Sequence, residues 1–201
     1  MIRKVFNILL LIPLMVNAQL PNDWINYDQN YFKFPIAEDG IYRINFQELV
    51  NAGLNISTLD PRNFQIFAKG EEIPIYIQGE SDGSFDSNDF IEFYGEKNTG
   101  WYDHVLFSDS AHVLNPYISM FSDTLYYFLT WNSSTNNFRM KDEVDLNFNA
   151  YTPSKYFWSE FISMTNLGFS YGQLSHLGKP VPEYSEGEGW YSSILYANHQ
   201  A

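Results

Sequence analysis

The sequence predicts a mainly β protein: an antiparallel β-sandwich-like domain with one short helix, followed by a second, incomplete β-rich segment. Three observations carry this. Aromatic residues make up 18% of the 201 residues and charged residues only 17%, a balance that suits an aromatic-rich β core and excludes an intrinsically disordered chain. Short stretches alternate apolar and polar residues with a period of two. Between them cluster Gly, Asn, Asp and Pro, the residues that turns require.

Residues 1–18 read as a cleavable secretory signal. Arg3 and Lys4 form a basic start, Val5 to Val16 an apolar run, and Val16-Asn17-Ala18 the small residues before a cleavage point at Gln19. The run is shorter than the roughly 20 residues that span about 30 Å of hydrocarbon, and no later stretch is long enough. The expected location is the periplasm, the cell surface or the medium, with no transmembrane segment after cleavage. An N-terminal β domain, 19–131, and a second β-rich segment, 132–201, follow.

In order, Phe32, Phe34 and Ile36 alternate with Tyr31 and Lys33, a strand with one buried face. Glu38-Asp39-Gly40 is a turn signal before a second strand, Ile41 to Asn45, and the two are expected to pair as a hairpin. Asn45 caps a short helix, with Glu48 completing a capping box. Phe46, Leu49 and Val50 share one side of that helix, Gly53 closes it and Leu54 packs back over its last turn. Asp60-Pro61 turns into a strand from Phe64 to Ala68. Lys69-Gly70-Glu71 turns into a strand carrying Ile73, Ile75 and Ile77, where Pro74 demands an edge or a bulge.

The stretch from Asp82 to Gly95 comes next, an acidic turn and then a strand with Ile91 and Phe93 on one face and Phe90, Glu92 and Tyr94 on the other. Trp101 to Phe107 reads as a further strand, which would leave the turn–strand unit mid-sheet. Asp123 to Trp131 is the strongest strand, apolar enough on both faces that both should be covered. Asn132 to Asn137 is a loop and a boundary. Beyond it Tyr151, Tyr156, Phe157, Trp158 and Phe161 show no period, Gly168 to Gly189 is glycine-rich, and Trp190 to Tyr196 is strand-like. The stop at Ala201, with no helix or polar cap, is expected of the front of a longer protein.

The net charge is −13, and loss of Arg3 and Lys4 with the signal makes the rest more acidic still. Nucleic acid is excluded as a partner, because no basic stripe is present to neutralise phosphates. The chain has no cysteine, which removes thiolate zinc sites, disulfides and cysteine nucleophiles from consideration.

Asp82, Asp86 and Asp89, with Ser84 and Asn88, gather hard oxygen ligands of the kind calcium prefers. The spacing copies the start of an EF-hand loop, yet Ser87 stands where that loop needs Gly and no terminal Glu is present. A solvated turn whose carboxylates bond local amides is the plainer alternative. Gly168-Phe169-Ser170-Tyr171-Gly172 matches the G-x-S-x-G nucleophile pattern, with Glu183 and His199 in the right order. That motif acts between a strand and a helix of a parallel sheet, and no βαβ alternation surrounds it. His104, His112, His176 and His199 lack metal-site spacing. Glu183, Glu186 and Glu188 read as a solvated loop, and Asn55 and Asn132 head N-glycosylation patterns. Trp24, Trp101 and Trp131 either stack on sugars or peptides or, more simply, fill a β core.

Glu38-Asp39-Gly40-Ile41-Tyr42-Arg43-Ile44, then Asp82-Gly83-Ser84-Phe85-Asp86 leading into Asp89-Phe90-Ile91-Glu92-Phe93-Tyr94-Gly95, then Tyr127-Phe128-Leu129-Thr130, resemble the N-terminal region of gingipain-type (C25) cysteine peptidases. More narrowly they resemble the PorU-like sortases of the type IX secretion system in Bacteroidetes. Glu186-Gly187-Glu188-Gly189-Trp190 is similar to a segment further along those proteins. The resemblance implies an all-β, prodomain-like portion, with a caspase-like Cys-His catalytic domain lying downstream in the same polypeptide and secretion-system outer-membrane proteins as further partners. It implies no catalytic residue and no cofactor in this segment, calcium at the acidic turn aside. It also makes Asp109-Ser110-Ala111 and Asp123-Thr124-Leu125 similar to O-glycosylated sites of exported Bacteroidetes proteins. The expected function is a non-catalytic domain packed on a peptidase or sortase; the alternative is a stand-alone cell-surface module that binds glycans or peptides.

Overall fold

The structure, a computed structural model, describes residues 22–142, 144, 147, 149, 152–156 and 168–191. The signal segment, Tyr151, Phe157, Trp158, Phe161, His199 and most of the strand expected at Trp190–Tyr196 lie outside the described residues. The fold is mainly β, with antiparallel sheets and, among the described residues, one short α-helix. The strands are β1 (Phe32–Ile36), β2 (Gly40–Asn45), β3 (Phe64–Ala68), β4 (Glu71–Ile73), β5 (Tyr76–Gln78), β6 (Phe90–Gly95), β7 (Leu125–Trp131), β8 (Gly168–Tyr171) and β9 (Glu188–Tyr191), with helix α1 (Phe46–Asn51) after β2.

One sheet has the order β1-β7-β3-β4 and faces a second, β2-β6-β5, while β8 and β9 form a separate two-stranded ribbon. Side chains from both inner faces make the core. Phe34 and Tyr127 of the first sheet each meet the Phe93 ring of the second, at 5.7 Å between centroids. Phe64, Ile66, Leu129, Ile77 and Ile91 fill the space around them.

The hairpin expected between β1 and β2 does not form. β1 pairs with β7, Phe32 opposite Leu129, and β2 pairs with β6, Ile41 opposite Tyr94. The turn at Glu38-Asp39-Gly40 carries the chain from an edge of one sheet to an edge of the other. The strand expected through Ile73, Ile75 and Ile77 is likewise divided at Pro74 and Ile75. Its two parts, β4 and β5, are the remaining edges, one in each sheet. A proline lacks the N–H that a continuous ladder needs, so the crossing falls where pairing is already weakest.

The helix obeys its signals. The Asn45 side chain accepts from the Glu48 amide at 3.0 Å, and Glu48 accepts from the Asn45 amide at 2.7 Å. Gly53 takes φ +89° and the Leu54 amide reaches back to the Leu49 carbonyl, so Leu54 is buried. Leu49 is buried and Phe46 half-buried, but Val50 is 41% exposed, because a helix this short presents only a narrow stripe to the core.

β6 is mid-sheet, with Ile91 and Phe93 buried, but its neighbours are β2 and β5. Trp101 to Phe107 is not a strand: Asp103–Leu106 forms a 3-10 turn inside a long excursion from β6 to β7. β7 is central in its sheet, and its outer face is covered over part of its length. Trp24 packs on Phe67 and Phe128, and buried Thr130 donates to the Asn30 carbonyl, whereas Tyr126 remains 45% exposed.

Asn132 to Asn137 is a loop, and the segment after it is tied to the sandwich. The Phe138 amide donates to Glu72, and Phe138 and Met140 exchange backbone bonds with Ile75. The β8–β9 ribbon reaches the excursion through Tyr184 against Phe107, at 5.7 Å between ring centroids.

Candidate functional site

The acidic turn is built by two glycines in the left-handed region, Gly79 (φ +86°) and Gly83 (φ +80°), which bracket a 3-10 turn from Glu80 to Asp82. Asp82 Oδ1 accepts the Ser84 amide at 2.8 Å, and Asp89 Oδ2 accepts the Asp86 amide at 2.7 Å. Asp89 is nearly buried and its carboxylate rests on Gly79, where any Cβ would collide with it. The Asp86 side chain is exposed. Among the described residues no group of three or more His, Cys, Asp or Glu side chains is gathered to hold a metal ion. Phe85, between these carboxylates in sequence, turns inward and packs edge-on against Phe64.

Ser170 lies within β8, paired antiparallel with β9, Ser170 opposite Gly189. Its hydroxyl accepts the Gly172 amide at 3.3 Å. An antiparallel ribbon does not present a serine on a strand-to-helix elbow, so the G-x-S-x-G pattern is a strand and turn here. Glu183 and Glu186 are not gathered with Glu188, whose Oε2 accepts the Ser185 amide. His104 bonds the Trp101 carbonyl through Nδ1 at 2.9 Å. Trp24 and Trp131 pack on rings of the sandwich, Trp131 against Phe32, whereas Trp101 lies on the surface.

The excursion between β6 and β7 carries the most distinctive surface. Trp101, Tyr102, Val105 and Leu106 are each 39–49% exposed. Leu114, Tyr117 and Phe121 are exposed further along it. Its backbone is nonetheless well held: the Asp103 carboxylate accepts the Ser119 hydroxyl at 3.1 Å and the Met120 amide at 2.8 Å. Asn98 donates to the Ser122 carbonyl through Nδ2 and to the Asp123 carbonyl through its amide. Of these residues sequence reasoning singles out Trp101 alone; the density of large apolar residues around it is the signal that could have found the others.

A second concave feature lies at the open side of the sandwich, where the β1 and β2 edges, α1 and the buried Phe93 and Leu129 enclose an apolar groove of about 330 Å³.

Comparison with family models, with curated proteins and with solved structures finds no match to this chain.

Proposed function

We propose that this chain is an exported, non-catalytic, prodomain-like β domain of a C25-type peptidase or a sortase-like protein of type IX secretion, and that it packs on a catalytic domain following it in the same polypeptide. The observation that carries the reading is the cluster of Trp101, Tyr102, Val105 and Leu106, exposed within six consecutive residues on a backbone fixed by Asp103. Large apolar side chains concentrated on a rigid surface mark an interaction site. Aromatic anchors of this kind dominate the energetics of protein interfaces. The resemblance of Glu38–Ile44, Asp82–Gly95 and Tyr127–Thr130 to the N-terminal region of that family supplies the identity of the partner.

Two measurements test it. The coding sequence beyond Ala201 should continue for several hundred residues and contain a Cys and a His; a stop codon there in an intact gene overturns the reading. The chain should also bind that downstream domain when the two are mixed. Replacing Trp101 and Leu106 together by Ser should weaken the complex about tenfold or more while leaving the melting temperature unchanged.

A further inference from the structure

The cleft between the end of the excursion and the β8–β9 ribbon has a composition of its own. It measures about 220 Å³ and is walled by Lys97, Tyr117, Phe121, Ser122 and Asp123, with half-buried Trp190 contributed by β9. Phe121 is 65% exposed. The walls are held before any ligand arrives. Asn98 clamps the Lys97 side to Ser122 and Asp123, the Asn115 side chain fixes the Tyr117 amide, and Asp103 pins the turn that projects Phe121. On the far side the Trp190 indole stands edge-on to the Phe169 ring of β8, at 5.2 Å between centroids, and the neighbouring Gly189 lies close to Leu114 of the excursion.

The scaffolding engages the Ser122 hydroxyl, which accepts the Thr124 amide at 3.0 Å, but leaves several other lining groups unused. Among the described residues Lys97 Nζ, Tyr117 Oη and Trp190 Nε1 have no hydrogen-bond partner, and Asp123 takes only the neighbouring Thr124 hydroxyl. We infer that this cleft binds a neutral saccharide. Tyr117, Phe121 and Trp190 line the cleft, and aromatic rings are the surface that the C–H face of a pyranose covers. Around them stand donors and acceptors in mixture: an ammonium, two X–H donors, a hydroxyl and a carboxylate. Lys97 and Asp123 are not paired with each other, and their opposite signs leave no net preference for an anion or a cation. A polyhydroxylated neutral ligand uses both, as acceptor to one and donor to the other. The cleft is small and largely pre-formed, and its lining is polar and apolar in nearly equal share, which suits a ligand that is itself both.

The test is titration of the full chain with cellobiose, maltose, mannobiose and N,N′-diacetylchitobiose, monitored by calorimetry and tryptophan fluorescence. At least one disaccharide should bind with a Kd in the millimolar range or tighter. Phe121→Ala and Lys97→Ala, both at exposed positions, should each weaken it about fivefold or more, whereas Tyr27→Ala, at a distant exposed ring, should not. Failure of all four sugars to bind the folded chain overturns the proposal. So does binding that survives both cleft substitutions, or tighter binding of digalacturonate than of every neutral sugar.

Discussion

Arg139 Nε donates to Glu80 Oε2 at 2.8 Å across 59 residues of chain. The same guanidinium gives Nη1 to the carbonyls of Phe64 and Phe138 and Nη2 to those of Pro61 and Arg62. One side chain therefore closes the turn before β3, the entry to the acidic turn and the segment leaving the Asn/Ser/Thr loop.

Arg139→Ala removes these bonds together; the Pro61, Arg62 and Phe138 carbonyls keep the Phe64 amide, the Asn137 side chain and the Ile75 amide, so the cost, about 2–3 kcal/mol, comes from losing several charge-assisted bonds at once. For a chain of this size that corresponds to a fall in melting temperature of roughly 5–10 °C. Arg43→Ala is the comparison, because Arg43 pairs with Glu92 on an open surface with over half its side chain exposed. That pair should contribute about 0–1 kcal/mol. Equal melting shifts for the two variants would show that Arg139 ties nothing together.

Tyr127 predicts an alkaline limit. Its hydroxyl accepts the Glu96 amide at 2.8 Å and donates to the Glu96 carbonyl at 3.3 Å, and its ring is fully buried. Burial holds its pKa above the ordinary tyrosine value, against a smaller opposing effect of the Glu96 backbone bond. An unfolded tyrosine loses its proton near about pH 10, while folded Tyr127 still keeps it. Above that pH the unfolded state binds fewer protons than the native state, so the Tyr127 contribution, complete below about pH 10, is lost as pH rises through the folded value. Tyr127→Phe should cost about 1–2 kcal/mol at neutral pH through the bonds it removes. It should also narrow the gap to wild type as melts are taken from about pH 8 to about pH 11. A gap that stays constant across that range would exclude the linkage.

Much of the fold is legible where a local signal decides it. Asn45 with Glu48 marks a helix start that needs no tertiary information, and the alternation through β6 and β7 fixes which side chains go inward. What alternation does not contain is the identity of the neighbour. β1 finds β7 some ninety residues away, with Phe32 opposite Leu129, instead of the adjacent β2. A short turn such as Glu38-Asp39-Gly40 serves a hairpin or a change of sheet equally well. Phe85 shows the same limit at a single position, since its acidic neighbours mark a turn and only the packing of Phe46 and Phe64 around it makes it core. The cleft proposed to take a saccharide is hidden for a related reason. Lys97, Tyr117 and Trp190 become one site only after two distant segments pack.

A calcium ion at Asp82, Asp86 and Asp89 would need carboxylate oxygens that already hold the turn: Asp82 bonds the Ser84 amide, and Asp89 the Asp86 amide. If it binds, it stabilises only the folded state, by roughly 2.7 kcal/mol at a hundredfold excess over Kd, which would raise the melting temperature by several degrees. If the carboxylates serve the backbone alone, calcium and chelator give the same melt. The cost of truncation then depends on burial. Asp82→Ala, at an exposed position, should cost about 1 kcal/mol, as for a lost cap bond. Asp89→Ala should cost more, about 1–3 kcal/mol, because Asp89 is nearly buried and the Asp86 amide loses its acceptor. Wild type and Asp86→Ala, each melted with calcium and with chelator, separate the two cases. The expected outcome is four melts with no response to calcium. A calcium-dependent rise in wild type that Asp86→Ala abolishes would instead establish the ion, since the exposed Asp86 carboxylate has no other duty in the turn to lose.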